Sequence, residues 1–185
     1  PGFIDQVYCE PQEKEIIRYL LNFGDQLIKI DNGEEEQEVA VTEFIIQEIK
    51  NDDLEFKNLM YKKIFEEFQQ LMNEKKPYDS KFFTNHDDKE IRELSAELII
   101  EKYKIHKIWT KQGSYIETED MRLSQDIPKC LISFKSKVIL QAEKDVLKEM
   151  AQAIEKEDLE QIKNLQLRKK EIDIIRNMLS KTLDR

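Results

Sequence analysis

Residues 129–185 read KCLISFKSKVILQAEKDVLKEMAQAIEKEDLEQIKNLQLRKKEIDIIRNMLSKTLDR, a stretch that contains neither glycine nor proline. Apolar residues recur in it at steps of three or four, which is the spacing of one face of an α-helix. In the first half these residues are Leu131, Phe134, Val138, Ala142, Val146, Met150 and Ile154. In the second half they are Leu165, Ile172 and Leu179, flanked by Ile162, Ile175 and Leu183. The pattern predicts a long helical arm at the end of the chain.

The two halves of the arm are separated by Glu155-Lys156-Glu157-Asp158, which interrupts the apolar pattern. We predict a turn near Asp158 and therefore a helical hairpin, with one continuous helix as the alternative. A continuous helix would be on the order of 85 Å long, and a hairpin would be roughly 40 Å long. Pro128 suits the first turn of the arm, where a missing N–H costs nothing, with Ser124 or Asp126 as the cap. The predicted domains are a helical bundle over residues 1–126 and a helical hairpin over residues 127–185.

Charge is distributed unevenly along the chain. Residues 129–185 carry 13 basic and 10 acidic side chains, whereas residues 1–128 carry 17 basic and 29 acidic ones. The whole chain has a formal net charge of −9. Affinity for nucleic-acid backbones depends on clustered lysine and arginine. We therefore expect no direct nucleic-acid partner, and only the arm has a charge that would permit one.

The composition favours an all-α fold, because 37% of the residues are charged and only four are glycine. No apolar run approaches the ~20 residues needed to span a bilayer, and the chain does not start with a signal-peptide pattern. We expect a soluble, cytoplasmic protein without a membrane partner. The start at Pro1-Gly2 suggests an expressed piece of a longer protein, so catalytic domains would lie outside it.

The first 126 residues are predicted to hold four main helices. The first runs from near Pro11 to a C-terminal cap at Gly24, and the third ends before Pro77. A short β-hairpin between the first two helices would pair Leu27 and Ile28 with Val39 and Val41. The predicted core positions are Leu20, Phe44, Ile64, Phe68 and Leu94. Trp109 is expected in the core as well, with a partner-binding surface as the alternative.

Two groups of residues resemble functional sites, but each has a simpler structural interpretation. His86-Asp87 is half of a metal-dependent phosphohydrolase signature, yet the only other histidine is His106, which follows it. We interpret the pair as the start of the fourth helix, capped by Asp87 or Asp88. The acidic run at residues 34–36 is expected to be a solvated loop.

The two cysteines, Cys9 and Cys130, have no motif spacing and are expected to be reduced thiols. There is no phosphate-binding loop, no nucleophile elbow and no zinc-ligand spacing. We therefore predict no catalytic residues, no metal and no cofactor in this chain.

Three stretches of the body carry a resemblance to a known family. They are residues 13–24 (EKEIIRYLLNFG), 41–49 (VTEFIIQEI) and 58–68 (NLMYKKIFEEF). In this order and at these distances they resemble the C-terminal helicase-interaction domain of bacterial DNA primase. The similarity continues through Phe82-Phe83 and from Ile91 to Leu98, and the chain ends, as that family does, in a helical arm. Residues 25–38 look longer and more acidic than the corresponding connection in that family.

The resemblance implies a helical bundle followed by a helical hairpin that binds the N-terminal domains of the hexameric replicative helicase. It implies a non-catalytic part of a primase that recruits the polymerase part to the replication fork. The alternative is a self-associating helical scaffold similar to the helicase N-terminal domain itself. If the two arm helices merge into one, that helix would pair with the arm of a second copy and form an arm-swapped homodimer.

We predict that the last helix carries the partner contact. The apolar positions Leu165, Ile172 and Leu179 can pack within the hairpin, which leaves other apolar side chains with less to cover them. Basic residues on the same helix would steer it toward acidic partner surfaces. The predicted partner-binding residues are Lys169, Lys170, Ile174, Arg176, Met178, Lys181 and Leu183.

The isolated histidines and unpaired cysteines lead to a first test. We expect the purified chain to contain no stoichiometric zinc by elemental analysis and to synthesise no primers by itself. One equivalent of zinc per chain would contradict this prediction.

Overall fold

The computed structural model describes residues 9–31, 36–76, 80–109 and 119–183. Within these ranges the chain forms seven helices and one small antiparallel sheet. The elements are α1 (Glu10–Phe23), β1 (Leu27–Asp31), β2 (Glu36–Ala40), α2 (Val41–Asn51), α3 (Leu59–Asn73), α4 (Ser80–Thr84), α5 (Lys89–Trp109), α6 (Glu119–Glu155) and α7 (Leu159–Leu183). The predicted all-α fold with a long helical arm at its end is confirmed.

The chain divides into two compact units. One is Glu10–Leu131, and the other contains Cys9 and the chain from Ile132 onward. The helix α6 contributes residues to both. The domains predicted from the sequence are residues 1–126 and 127–185. That these two parts are separate domains remains a prediction.

Helix α1 is the centre of the first unit, because it packs against α2, α3, α4 and α5. Its buried residues include Ile16, Ile17, Leu20 and Phe23. It ends at Gly24 as predicted, and the Gly24 N–H donates to the Leu20 carbonyl. A Cβ at Gly24 would lie 2.6 Å from both the Leu20 carbonyl oxygen and Thr42 Oγ1. Only glycine therefore allows the start of α2 to approach the end of α1 this closely.

The predicted β-hairpin is present, with Leu27 paired to Ala40 and Ile28 to Val39. Val41 is not part of it, because it is the first residue of α2. The acidic loop predicted between the strands falls largely on residues 32–35, which lie outside the described residues.

The predicted core is confirmed at three of its positions. Leu20, Ile64 and Phe68 are buried, whereas Phe44 and Leu94 are only partly buried. The Phe68 ring stacks on Phe83 with their centroids 4.4 Å apart. Phe83 belongs to α4, a helix that the sequence did not predict because it is only five residues long. The side chain of Trp109 is not among those that the structure describes.

The start of α6 differs from the prediction. The helix begins at Glu119, and Pro128 lies in its interior rather than in its first turn. An interior proline normally costs about 3 kcal/mol. The compensation is burial, because Leu123, Ile127 and Leu131 form a continuous apolar stripe with relative exposures of 2% or less. The burial of this stripe therefore offsets the cost of an interior proline, and the helix continues past Pro128.

The turn between α6 and α7 confirms the predicted hairpin. The Asp158 N–H donates to the Ala153 carbonyl and the Glu157 N–H to the Ile154 carbonyl. Glu157 has φ 54°, so this turn is a Schellman motif with glutamate at the position that glycine usually takes. Asp158 then caps α7, since its Oδ1 accepts from the Gln161 N–H at 3.0 Å.

The seam of the hairpin is formed by both arm helices. Val146 and Ala153 of α6 and Leu165 and Ile172 of α7 are buried in one cluster. Partly buried residues packed against this cluster are Ile139, Ala142, Met150 and Ile162. Leu165 and Ile172 thus pack within the hairpin as the sequence predicted, while Leu179 is partly buried.

A buried carboxylate connects α1 to the start of α3. Glu13 is 1% exposed, and its two oxygens accept the backbone N–H groups of Lys57 at 2.8 Å and Asn58 at 3.0 Å. Asn58 in turn caps α3, because its Oδ1 accepts from the N–H groups of Met60 and Tyr61. Glu13 therefore holds the capping residue in position.

We predict that Phe68→Ala lowers the free energy of unfolding by about 3–5 kcal/mol, because it removes a fully buried ring. Phe82→Ala is the matched control, since that ring is 45% exposed and its removal should cost much less. Urea denaturation followed by circular dichroism measures both. Equal unfolding midpoints for the two variants would contradict the placement of Phe68 in the core.

We also predict that Glu13→Ala destabilises the chain by about 1–3 kcal/mol, because two backbone N–H groups lose their acceptor. Glu66→Ala, at an exposed position of α3, should stay within about 0.5 kcal/mol of the parent. The comparison again uses urea denaturation. A loss at Glu13 no larger than the loss at Glu66 would show that the carboxylate does not hold the start of α3.

Candidate functional site

The outer face of α7 carries large apolar side chains that the hairpin leaves uncovered. Leu167 is 54% exposed, Ile174 55% and Met178 63%. A residue advances 100° around a helix, so these three lie on the side opposite the seam residues Leu165 and Ile172. We call Leu167, Ile174 and Met178 the outer stripe. Helix α7 thus has two apolar faces, of which one closes the hairpin and the other faces solvent.

Two of the four predicted basic residues serve the hairpin itself. Arg176 Nη1 donates to Glu143 Oε2 at 2.7 Å, and Lys169 Nζ lies 3.8 Å from Glu143 Oε1 and 2.9 Å from Asp173 Oδ2. The hydrogen bond from Lys169 lowers the pKa of Asp173 below its ordinary value. Glu143, on α6, is therefore the shared acceptor that fixes α7 beside it.

The other two predicted basic residues, Lys170 and Lys181, are exposed. Neither makes an ion pair with any residue that the structure describes. The apolar positions Ile174 and Met178 lie on the outer stripe as predicted, while the side chain of Leu183 is outside the described part. The seven predicted residues are therefore not one surface, because Lys169 and Arg176 point to the seam.

The sequence prediction missed two residues of this face, Leu167 and Lys163. Leu167 precedes Ile174 by seven residues, and Lys163 precedes Lys170 by seven. That spacing was visible in the sequence. It could not be used without knowing which side of α7 the seam occupies, and the burial of Leu165 supplies that information.

Helix α6 also exposes apolar residues. Leu140, Leu147 and Ile154 are 38%, 46% and 58% exposed, and they follow one another at intervals of seven. They lie beside the seam of the hairpin rather than opposite to it.

The His86 segment has the structural role that the sequence predicted. The Asp88 N–H donates to His86 Nδ1 at 3.0 Å, so the imidazole proton is on Nε2, which lies 3.0 Å from Glu67 Oε1. Asp88 Oδ1 accepts from the Glu90 N–H and caps α5. Burial raises the pKa of Glu67, and the neighbouring His86 partly opposes that effect.

Both cysteines are free thiols, as predicted. The Cys130 thiol is partly buried, and its Sγ lies 4.0 Å from the Gln12 carbonyl oxygen of α1. Burial raises the pKa of Cys130 to about 12, so the thiol stays protonated at neutral pH and is a poor nucleophile.

A buried guanidinium joins α1 to the start of α6. Arg18 donates to Glu15 at 2.6 Å and to Glu119, and it lies 4.9 Å from the centre of the Tyr19 ring. This cluster holds the first turn of α6 on the bundle.

Among the residues that the structure describes, no group of three or more histidine, cysteine or acidic side chains is arranged to hold a metal ion. No helix in the described ranges is long and apolar enough to cross a bilayer.

Comparison with known proteins gives one result. Neither the curated proteins nor the solved structures contain a match to the chain. A family model does match, over residues 5–185, so almost the whole sequence is covered. The chain therefore belongs to the family described as a domain of unknown function, DUF8430.

Proposed function

We propose that this chain is a non-catalytic interaction domain of a cytoplasmic DNA primase, and that it binds the N-terminal domains of the replicative helicase. In this proposal it recruits primase to the replication fork. The identity of the partner comes from the sequence resemblance of residues 13–24, 41–49 and 58–68 to the primase family. The location of the contact comes from the outer stripe of α7.

The observation that carries the proposal is that α7 has an apolar face in excess of what the hairpin needs. The seam is closed by Leu165 and Ile172, and a helix that packs on one side only normally has a polar outer face. The outer stripe instead exposes three large side chains within about three turns. Large apolar side chains exposed along one face are typical of protein-binding sites.

The mechanism would be tethering. The outer stripe would lie in a groove between helices of the partner, as amphipathic helices do in many complexes. Binding would raise the effective concentration of the attached polymerase part near the unwound strand. The chain would position the attached polymerase part and would contribute no reacting group.

A second candidate is a helical scaffold that self-associates. It is favoured by the row Leu140, Leu147 and Ile154 on α6, because apolar residues at intervals of seven are typical of a seam between helices of different chains. In that case the chain would form dimers or rings without any added partner.

We predict that Ile174→Ser combined with Met178→Ser weakens binding to the purified replicative helicase of the same source by at least roughly tenfold, since central apolar contacts often contribute 2 kcal/mol or more. The matched control is Leu147→Ser combined with Ile154→Ser, which removes as much exposed apolar surface from α6. Titration calorimetry measures the affinities, and circular dichroism checks that both variants remain helical.

The same variants separate the two candidate functions. If the parent chain does not bind the helicase at all, the first candidate is wrong. If light scattering finds a dimer or ring that only the α6 variant disrupts, the scaffold function replaces it. Unchanged helicase affinity in the α7 variant would place the contact on another surface.

A further inference from the structure

The outer stripe has a basic edge. Lys163, Lys170 and Lys181 lie roughly 45° to one side of the line through the stripe, as follows from 100° per residue. All three side chains are exposed, and none forms an ion pair within the described residues. The basic groups that pair with α6 across the hairpin are instead Arg168, Lys169 and Arg176. The three lysines are therefore available to an approaching molecule.

The opposite edge of the stripe is different. Between positions 163 and 181 its only acidic residue is Glu171. Arg168, one turn earlier, lies 3.9 Å from Glu149 of α6 and belongs to the hairpin. The surface is thus apolar in the middle and basic along one edge, and it carries a single acidic residue along the other. A molecule that matches this surface needs complementary charge along one edge only, which also fixes its orientation.

A second copy of the chain does not fit this asymmetry. In an antiparallel pair of helices related by a two-fold axis, the same edge of each helix meets. Lys163, Lys170 and Lys181 would then face their own copies, and like charges at such positions repel. In a parallel pair the three lysines would meet an edge that offers a single acidic residue, Glu171.

From these observations we infer that the outer stripe of α7 binds an amphipathic helix of a partner protein, and that this helix carries acidic residues along the edge facing Lys163, Lys170 and Lys181. The inference deepens the proposed function and rests on it only in taking α7 as the contact surface. It identifies the partner element by its chemistry and does not depend on which protein supplies it.

The dimensions of the surface define the occupant further. Leu167 and Met178 are separated by about 16 Å along the helix axis, at 1.5 Å per residue. A partner helix of about three turns covers that length. Lys163 and Lys170 lie about 10 Å apart on the same basis, so acidic residues two turns apart on the partner would face both.

A direct test uses two fluorescein-labelled synthetic helices of about three heptads. Both carry leucine along one face, and the edges of that face carry glutamate in one peptide and lysine in the other. Fluorescence anisotropy measures their binding to the full chain and to two variants. One variant is Lys163→Glu/Lys170→Glu/Lys181→Glu, and the matched control is Lys144→Glu/Lys148→Glu/Lys156→Glu, which makes the same charge change at exposed positions of α6 and the turn.

The parent chain should bind the glutamate peptide in preference to the lysine peptide. The α7 variant should bind the glutamate peptide on the order of tenfold or more weakly than the parent, because three exposed attractions become repulsions. It should gain affinity for the lysine peptide. The control variant should change by less than about threefold, since its charges lie off the surface.

Two results would overturn the inference. The parent chain could bind both peptides equally or neither of them, or the two variants could lose affinity equally, which would make the effect one of net charge. Failure of the inference is distinguishable from failure of the proposed function. If the purified helicase binds the parent and the α7 charge variant with the same affinity, recruitment stands and the acidic-helix inference falls. If the charge reversal is seen with the peptides but the helicase does not bind, the inference stands and the primase function falls.

Discussion

The packing of Val146 and Ala153 against Leu165 and Ile172 is the interaction on which the position of the outer stripe depends. These side chains decide which face of α7 turns inward. Ala153 is small enough to let the helices approach near the turn, and the ion pairs from Glu143 to Lys169 and Arg176 fix α7 at one side of the seam. Because this packing fixes the rotation of α7 about its own axis, the outer stripe faces solvent.

The turn that makes this packing possible has no glycine or proline. Its Schellman motif places Glu157 in the left-handed region of backbone space, at φ 54°, where a residue other than glycine costs roughly 1–2 kcal/mol. The apolar seam must offset that cost. The hairpin is therefore defined by the pairing of its two helices rather than by its turn, which is why the sequence left a continuous helix open as an alternative.

Local signals predicted much of the fold. Gly24 marked the end of α1, Asp88 marked the start of α5, and the interval of seven from Leu165 to Ile172 marked the seam. The failures are places where tertiary packing outweighs local preference. Pro128 lies inside α6 because Leu123, Ile127 and Leu131 are all buried. The role of Glu13 could not be predicted, because its hydrogen-bonding partners Lys57 and Asn58 are 44 and 45 positions away.

For the candidate site, the sequence supplied the helix and its composition but not the rotation that sorts its residues. Once the seam is known, Lys169 and Arg176 belong to the hairpin, while Lys170, Ile174, Met178 and Lys181 belong to the outer face. Lys163 and Leu167 join them by position. The residues of the proposed contact are grouped by the helix face on which they lie. Composition alone cannot identify that face.

The chain contains five methionines, and they allow a direct measurement of the central claim that the outer face of α7 is the contact surface. With ¹³C-methyl-labelled methionine, each methyl group reports separately when the purified N-terminal domain of the replicative helicase is added. Met178 lies on the outer stripe, Met150 packs against the seam, and Met121 is 64% exposed on a different part of the chain. The account predicts a large shift or broadening of the Met178 resonance with little change at Met150 and Met121. A spectrum in which Met121 responds and Met178 does not would contradict it.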